Sequence, residues 1–129
     1  MKTILVDAVH TFFIKGEGVY KPLYDLLETY QNQKIILTNA NPEQRESLGI
    51  VNMPYEVFSL DQNPTKADPE YFVRMLDYLN LSKDDVVYFE HNAEAVESAK
   101  SIGIPTYHYD KETRNLKALK DFLDQSLAS

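Results

Sequence analysis

Short runs of consecutive apolar residues alternate along this chain with longer stretches in which apolar positions recur every three or four residues. Strand candidates built on these runs, mostly but not wholly apolar, are residues 2 to 7, 34 to 38, 55 to 59, 85 to 89 and 104 to 108. Continuous apolar runs of this length are what strands show when both faces of a sheet are covered. Between them, four helical stripes stand out: Leu23, Leu26, Leu27 and Tyr30; Phe72, Met75, Leu76 and Leu79; Ala95, Val96, Ala99 and Ile102; Leu116, Leu119, Leu123 and Leu127. Asn41-Pro42-Glu43 and Asp68-Pro69-Glu70 each supply a capping side chain, a proline for the first helical turn and an acid for the positive helix end. Gly49 and Gly103 stand where helices should stop.

Five strands alternating with helices predict one α/β domain over residues 1–129: a doubly wound, Rossmann-like parallel sheet of five strands with helices on both faces. Parallel neighbours need crossover connections, and these are nearly always right-handed. Residues 8 to 19 do not fit the alternation. Their aromatic and β-branched residues around Gly16 and Gly18 predict a small β-hairpin flap over the strand tips, or a connector that covers the sheet edge.

Composition narrows the function classes. The chain has 129 residues, 43% of them hydrophobic, enough for one ordinary core. With no cysteine there is no thiolate nucleophile, no cysteine zinc site and no disulfide framework. No apolar run reaches the ~18 residues of a membrane helix, and the start carries no basic segment followed by a long apolar region. A cytoplasmic protein that binds no membrane is the expectation. A net charge of -7, from 20 acids against 13 bases, argues against a nucleic-acid backbone as partner, while a small phosphorylated ligand needs only one or two local cations.

Candidate chemistry gathers where the runs end. Asp7 closes the first run, Thr38 the second, and Glu90 follows the fourth; Lys66 stands just before Asp68-Pro69-Glu70. In an open parallel α/β sheet ligands bind beyond the carboxyl ends of the strands, so these side chains are expected to converge. Taken singly, each has an ordinary structural use: a strand-end carboxylate accepting backbone N–H bonds, a turn hydroxyl, a solvated charge, a helix-start acid.

Taken together, their types and order resemble the haloacid dehalogenase (HAD) superfamily. Asp7-Ala8-Val9-His10-Thr11 resembles that family's first motif, Thr38 its second, Lys66 in Lys66-Ala67-Asp68-Pro69-Glu70-Tyr71-Phe72 its third, and Val86-Val87-Tyr88-Phe89-Glu90-His91-Asn92 its fourth. Ser101-Ile102-Gly103-Ile104-Pro105-Thr106 resembles the strand that follows. The resemblance implies a hydrolase of phosphatase or phosphotransferase type working through an aspartyl-phosphate. In that scheme Asp7 attacks phosphorus, Thr38 and Asn39 hydrogen-bond the phosphate, and Lys66 neutralises charge on both. Mg²⁺ is implied as cofactor, held by Asp7, Glu90 and the Val9 carbonyl. Each role is chemically reasonable by itself, because phosphoryl transfer depends mainly on positioning and charge compensation.

Two departures from the pattern bear on activity. The family's second acid in the first motif protonates the leaving group and activates water; Val9 stands there and can do neither, and losing a positioned acid-base costs ~10²- to 10⁴-fold in rate. Substrates with good leaving groups, acyl or aryl phosphates, need that acid least. Glu90-His91 stands where two aspartates are common, which removes one negative charge from a metal site. His10 occupies a place where the family often has glycine. The two histidines could serve as auxiliary groups, for proton transfer or for a softer metal such as Zn²⁺. The alternative reading is a catalytically inactive binding or interaction domain that keeps the fold.

Other phosphate-binding folds match less well. Gly16-Glu17-Gly18 has Lys21 where a dinucleotide fingerprint needs a third glycine, and there is no P-loop. A receiver-type phosphoacceptor domain would use an acid after strand three, where Phe58-Ser59-Leu60-Asp61 is a partial match. Family caps are inserted after strand one or three, and the spacing here leaves room only for the flap and one helix. A capless, open cleft is expected, suited to phosphate on a small molecule or macromolecule, or covered by a partner subunit; the sequence leaves the oligomeric state open.

Overall fold

The computed structural model describes residues 1–60 and 63–128. Its elements in chain order are β1 (Thr3–Asp7), β2 (Phe13–Ile14), β3 (Gly18–Val19), α1 (Lys21–Leu27), β4 (Lys34–Thr38), α2 (Pro42–Leu48), β5 (Glu56–Ser59), α3 (Pro69–Leu79), β6 (Val86–Glu90), α4 (Ala93–Ser101), β7 (Thr106–His108) and α5 (Leu116–Leu127). A 3₁₀ turn, Lys83–Asp85, leads into β6.

β1, β4, β5, β6 and β7 form one parallel sheet in the order β5-β4-β1-β6-β7. From β1 the chain moves outward through β4 and β5, then returns to β6 on the other flank of β1 and continues to β7. β1 is therefore central, at the point where the winding reverses. Its residues alternate between two cores. Ile4 and Val6 join Val87, Phe89, Leu23, Leu27, Leu119 and Leu123 on the face covered by α1 and α5. Leu5 joins Tyr88, Tyr71, Phe72, Met75 and Ala99 on the face covered by α3 and α4. Burial on both faces explains why the inner strands β1, β4 and β6 read as mostly apolar runs; β5 and β7, at the sheet edges, are only partly buried.

The capping signals do what their chemistry dictates. Asn41 and Gln44 form a reciprocal capping box at the start of α2, and Gly49 ends that helix in the left-handed region at φ +85°. The Asp68 side chain caps α3 through the Glu70 N–H. Gly103, at φ +92°, follows the end of α4. β2 and β3 pair antiparallel, so the flap after β1 is a hairpin. It is stitched to the strand tip by Phe12 N–H to the Asp7 carbonyl (3.2 Å) and Tyr20 N–H to the Phe12 carbonyl (2.8 Å), with Phe12 and Phe13 buried. No helix among the described residues is long and apolar enough to cross a membrane.

Candidate active site at the strand tips

Sheet register brings the acids together. β1 pairs with β6 from Thr3 with Val86 to Val6 with Phe89, so Asp7 and Glu90 are the next residues along each strand. On the other side Asp7 pairs with Leu37, one residue before Thr38. Asp7 has the parity of Leu5 and Glu90 that of Tyr88, so both side chains project on the face covered by α3 and α4. Lys66 reaches them from the loop just ahead of α3. It does not sit at a strand tip, since β5 already ends at Ser59, but its ammonium arrives at the same point. Asp61, the acid of the partial receiver-type match, lies outside the described residues.

Every oxygen of the two buried carboxylates has a donor. Lys66 Nζ lies 2.8 Å from Asp7 Oδ1 and 3.0 Å from Glu90 Oε1. Asp7 Oδ2 accepts from the Thr11 hydroxyl (2.7 Å) and the His91 N–H (3.2 Å), and contacts His91 Nδ1 closely. Glu90 Oε2 accepts from the Asn92 N–H (3.0 Å) and stands 3.3 Å from His91 Nδ1, while Oε1 also accepts from the Tyr88 hydroxyl. Lysine joins the acids through one oxygen of each, and histidine joins them through the other.

These contacts set the charge states. Burial alone would raise the Asp7 pKa, but the Lys66 charge and the His91 hydrogen bond hold its carboxyl well below the usual carboxylate range. Lys66 is opposed by burial in the same way, and Asp7 and Glu90 keep its ammonium protonated far above neutrality. Burial of the His91 ring is outweighed by its bonds to Asp7 and Glu90, which lift its pKa to about 9. His10 is pushed down, first by burial and then by the Lys111 and His91 charges.

The cluster floors a cavity of about 340 Å³ also lined by Thr38, Asn39, Thr65 and Val9. Thr38 Oγ1 accepts from the Ala40 N–H at 3.1 Å, which fixes the turn after β4. Asn39 Oδ1 accepts from the Lys66 N–H at 3.1 Å, leaving the buried Nδ2 without a partner among the described residues. A buried donor without a partner, on a residue that lines the cavity, is one that an oxyanion could satisfy. His10 stands at φ +72°, a conformation that favours glycine, and its ring meets the His91 ring edge-on at 5.3 Å.

Asp7, Thr38, Asn39, Lys66, Glu90, Val9 and His91 all line this one cavity, with His10 on its flank. Sequence reasoning passed over Tyr88 and gave Thr11 no task. The signal for Tyr88 was present: a tyrosine two residues before an acid in a fully buried strand shares its face, and its hydroxyl needs an acceptor. The Asp7, Glu90 and His91 donor atoms lie within 4.8 Å of one another, a spacing that could hold a metal ion.

No protein-family model and no curated protein matches the chain. Solved structures do. A protein of uncharacterised function from Corynebacterium glutamicum is 17% identical with a TM-score of 0.63, covering 96% of each chain. The core domain of a proposed phosphoglycolate phosphatase from Streptococcus pneumoniae is also 17% identical, with a TM-score of 0.62 and 96% of each chain covered. A proposed beta-phosphoglucomutase from Thermotoga maritima is 26% identical at a TM-score of 0.50, over 68% of this chain and 44% of its own.

Proposed function

The fold is that of the haloacid dehalogenase superfamily, and on that premise we propose that the chain is a capless phosphatase- or phosphotransferase-type hydrolase whose nucleophile is Asp7. One observation carries the reading: a buried, ionised aspartate, held by a lysine at the tip of the central strand, lines a cavity shared with Thr38 and with Asn39, whose buried Nδ2 has no partner among the described residues. Asp7 Oδ1 has only Lys66 as donor among the described residues and is the less committed oxygen. In the reaction it bonds to phosphorus while the bond to the leaving oxygen breaks, and that oxygen departs with its electron pair. The Lys66 ammonium offsets the charge shared between Asp7 and the phosphoryl group, and Thr38 and Asn39 orient the phosphoryl oxygens.

The hard carboxylate oxygens of Asp7 and Glu90, with the Val9 carbonyl, are the donor set that suits Mg²⁺. When bound, Mg²⁺ supplies further charge neutralisation to the transferred group. Val9 leaves the departing oxygen without a proton donor, so the substrates that fit best are acyl or aryl phosphates, on a small molecule or a macromolecule entering the open cleft. A water then cleaves the aspartyl-phosphate slowly, since no acid-base stands at position 9 to activate it. His10 and His91 are the nearest candidates for auxiliary proton transfer; of the clustered donors the His91 nitrogen alone would suit Zn²⁺, while the two carboxylates suit Mg²⁺.

A non-catalytic binding domain is the second reading, favoured by the His91 ring on Asp7 and by Val9. The experiment that separates the two is phosphate release from acetyl phosphate and an aryl phosphate, with and without Mg²⁺. The expected outcome is turnover in the parent that is lost in Asp7→Asn. Equal release by both proteins would remove Asp7 from the chemistry. No release from the parent, with activity appearing in Val9→Asp, would favour the binding domain.

A further inference from the structure

Lys66 and His91 do not treat the two carboxylates alike. Lys66, the one buried residue in the described part of the exposed loop that leads into α3, spans Asp7 Oδ1 and Glu90 Oε1. His91 spans Oδ2 and Oε2 with a single ring nitrogen, Nδ1, from the mouth of the cavity, where its side chain keeps 18% of its surface exposed. That nitrogen contacts both acids on the oxygens that Lys66 leaves free, so a cation held there by Asp7 and Glu90 would meet the ring.

We propose that the His91 ring is an internal competitor for the cation site: ring and divalent cation exclude one another, and His91 sets how tightly the cation binds. The inference rests on the reading of Asp7 and Glu90 as cation ligands. The backbone around the ring is pinned, the His91 N–H on Asp7 Oδ2 at 3.2 Å and the His91 carbonyl on His108 Nε2 at 3.0 Å. Exchange therefore needs only side-chain rotation into the cavity that the ring already lines, with no movement of the strand. Lys66 stays in place throughout, because its contacts use the other oxygens. With the ring in place every oxygen of the two acids has a donor, and Asp7 Oδ2 is met by the Thr11 hydroxyl, the His91 N–H and the His91 ring.

Competition of this kind lowers apparent affinity by the stability of the ring-bonded form, since a cation must first break charge-assisted hydrogen bonds. Calorimetric titration of Mg²⁺ and of Mn²⁺ into the parent, His91→Ala and His91→Asp, without substrate, tests it. Binding about tenfold or more tighter in His91→Ala than in the parent is expected, and tighter again in His91→Asp, which adds an acid. Equal affinity in all three proteins would overturn the competition while leaving the cation site. Weaker binding in His91→Ala would make the ring a ligand and also overturn it. No binding in any of the three would sink the cation reading and the competition with it. Should either variant fail to fold, NMR of the parent decides: the hydrogen-bonded His91 Nδ1 signal is expected to vanish as Mg²⁺ saturates the protein, and its persistence in the bound form would refute the proposal.

Discussion

Lys66 neutralises two carboxylates that solvent barely reaches, so its removal should expose their mutual repulsion. Lys66→Met is expected to destabilise the fold by about 3–5 kcal/mol, the usual result of leaving buried charges unpaired; urea denaturation checks it, and a loss under about 1 kcal/mol would mean that water screens the acids. Tyr109 gives a pH-dependent case. Its ring is fully buried, its hydroxyl has no partner among the described residues, and burial pushes its pKa up to about 12. Because that value lies above the ~10 of an unfolded tyrosine, the neutral phenol's contribution is intact below pH ~10 and is lost as pH rises through about 12. Tyr109→Phe removes the ionisable group and an unsatisfied hydroxyl. It should match or exceed the parent by up to about 1 kcal/mol at neutral pH and lose less stability near the upper end of that window, measured by urea denaturation at both pH values.

At the scale of elements, α2 and the hairpin flap meet at Gly49. A Cβ there would stand 2.9 Å from Phe13 Cζ, and the backbone is left-handed. Gly49→Ala should cost about 2 kcal/mol, against about 1 for Gly16→Ala, which shares the positive φ but has nothing within 4 Å; thermal melts of the two variants isolate the contact. The same elements show why the sequence was informative. Apolar runs located β1, β4 and β6 because burial on both faces leaves no polar alternation, and Lys34–Thr38 matches its run from end to end; the edge strands β5 and β7, only partly buried, gave shorter and more polar runs. The fifth run started two residues early: Ile104 is buried but Pro105 has no N–H to donate and offers the sheet only its carbonyl, to Tyr88 at 3.0 Å, before β7 begins at Thr106. The convergence of Asp7, Thr38 and Glu90 was legible from strand ends plus topology. The Tyr88 and Thr11 bonds were not, since they depend on which rotamer a buried hydroxyl takes once neighbouring strands are in register. His91 was legible as a departure from a resemblance, yet its place between the acids is a matter of three dimensions.

For the whole molecule, the consequence lies in where β1 sits. Its two sheet partners come from residues 34 to 37 and 86 to 89, so the innermost strand depends on contacts with a distant part of the chain. A chain stopped after Asp85 would lack one entire flank of β1 and should show little ordered structure by far-UV circular dichroism; a native-like spectrum would mean that β4 and β5 suffice. Such long-range pairing also slows folding relative to helical proteins of similar size. During synthesis, therefore, β1 emerges well before β6, and one flank of it stays unpartnered until residues 86 to 89 have left the ribosome. In that interval the open edge of Ile4-Leu5-Val6 is apolar backbone for a chaperone to cover.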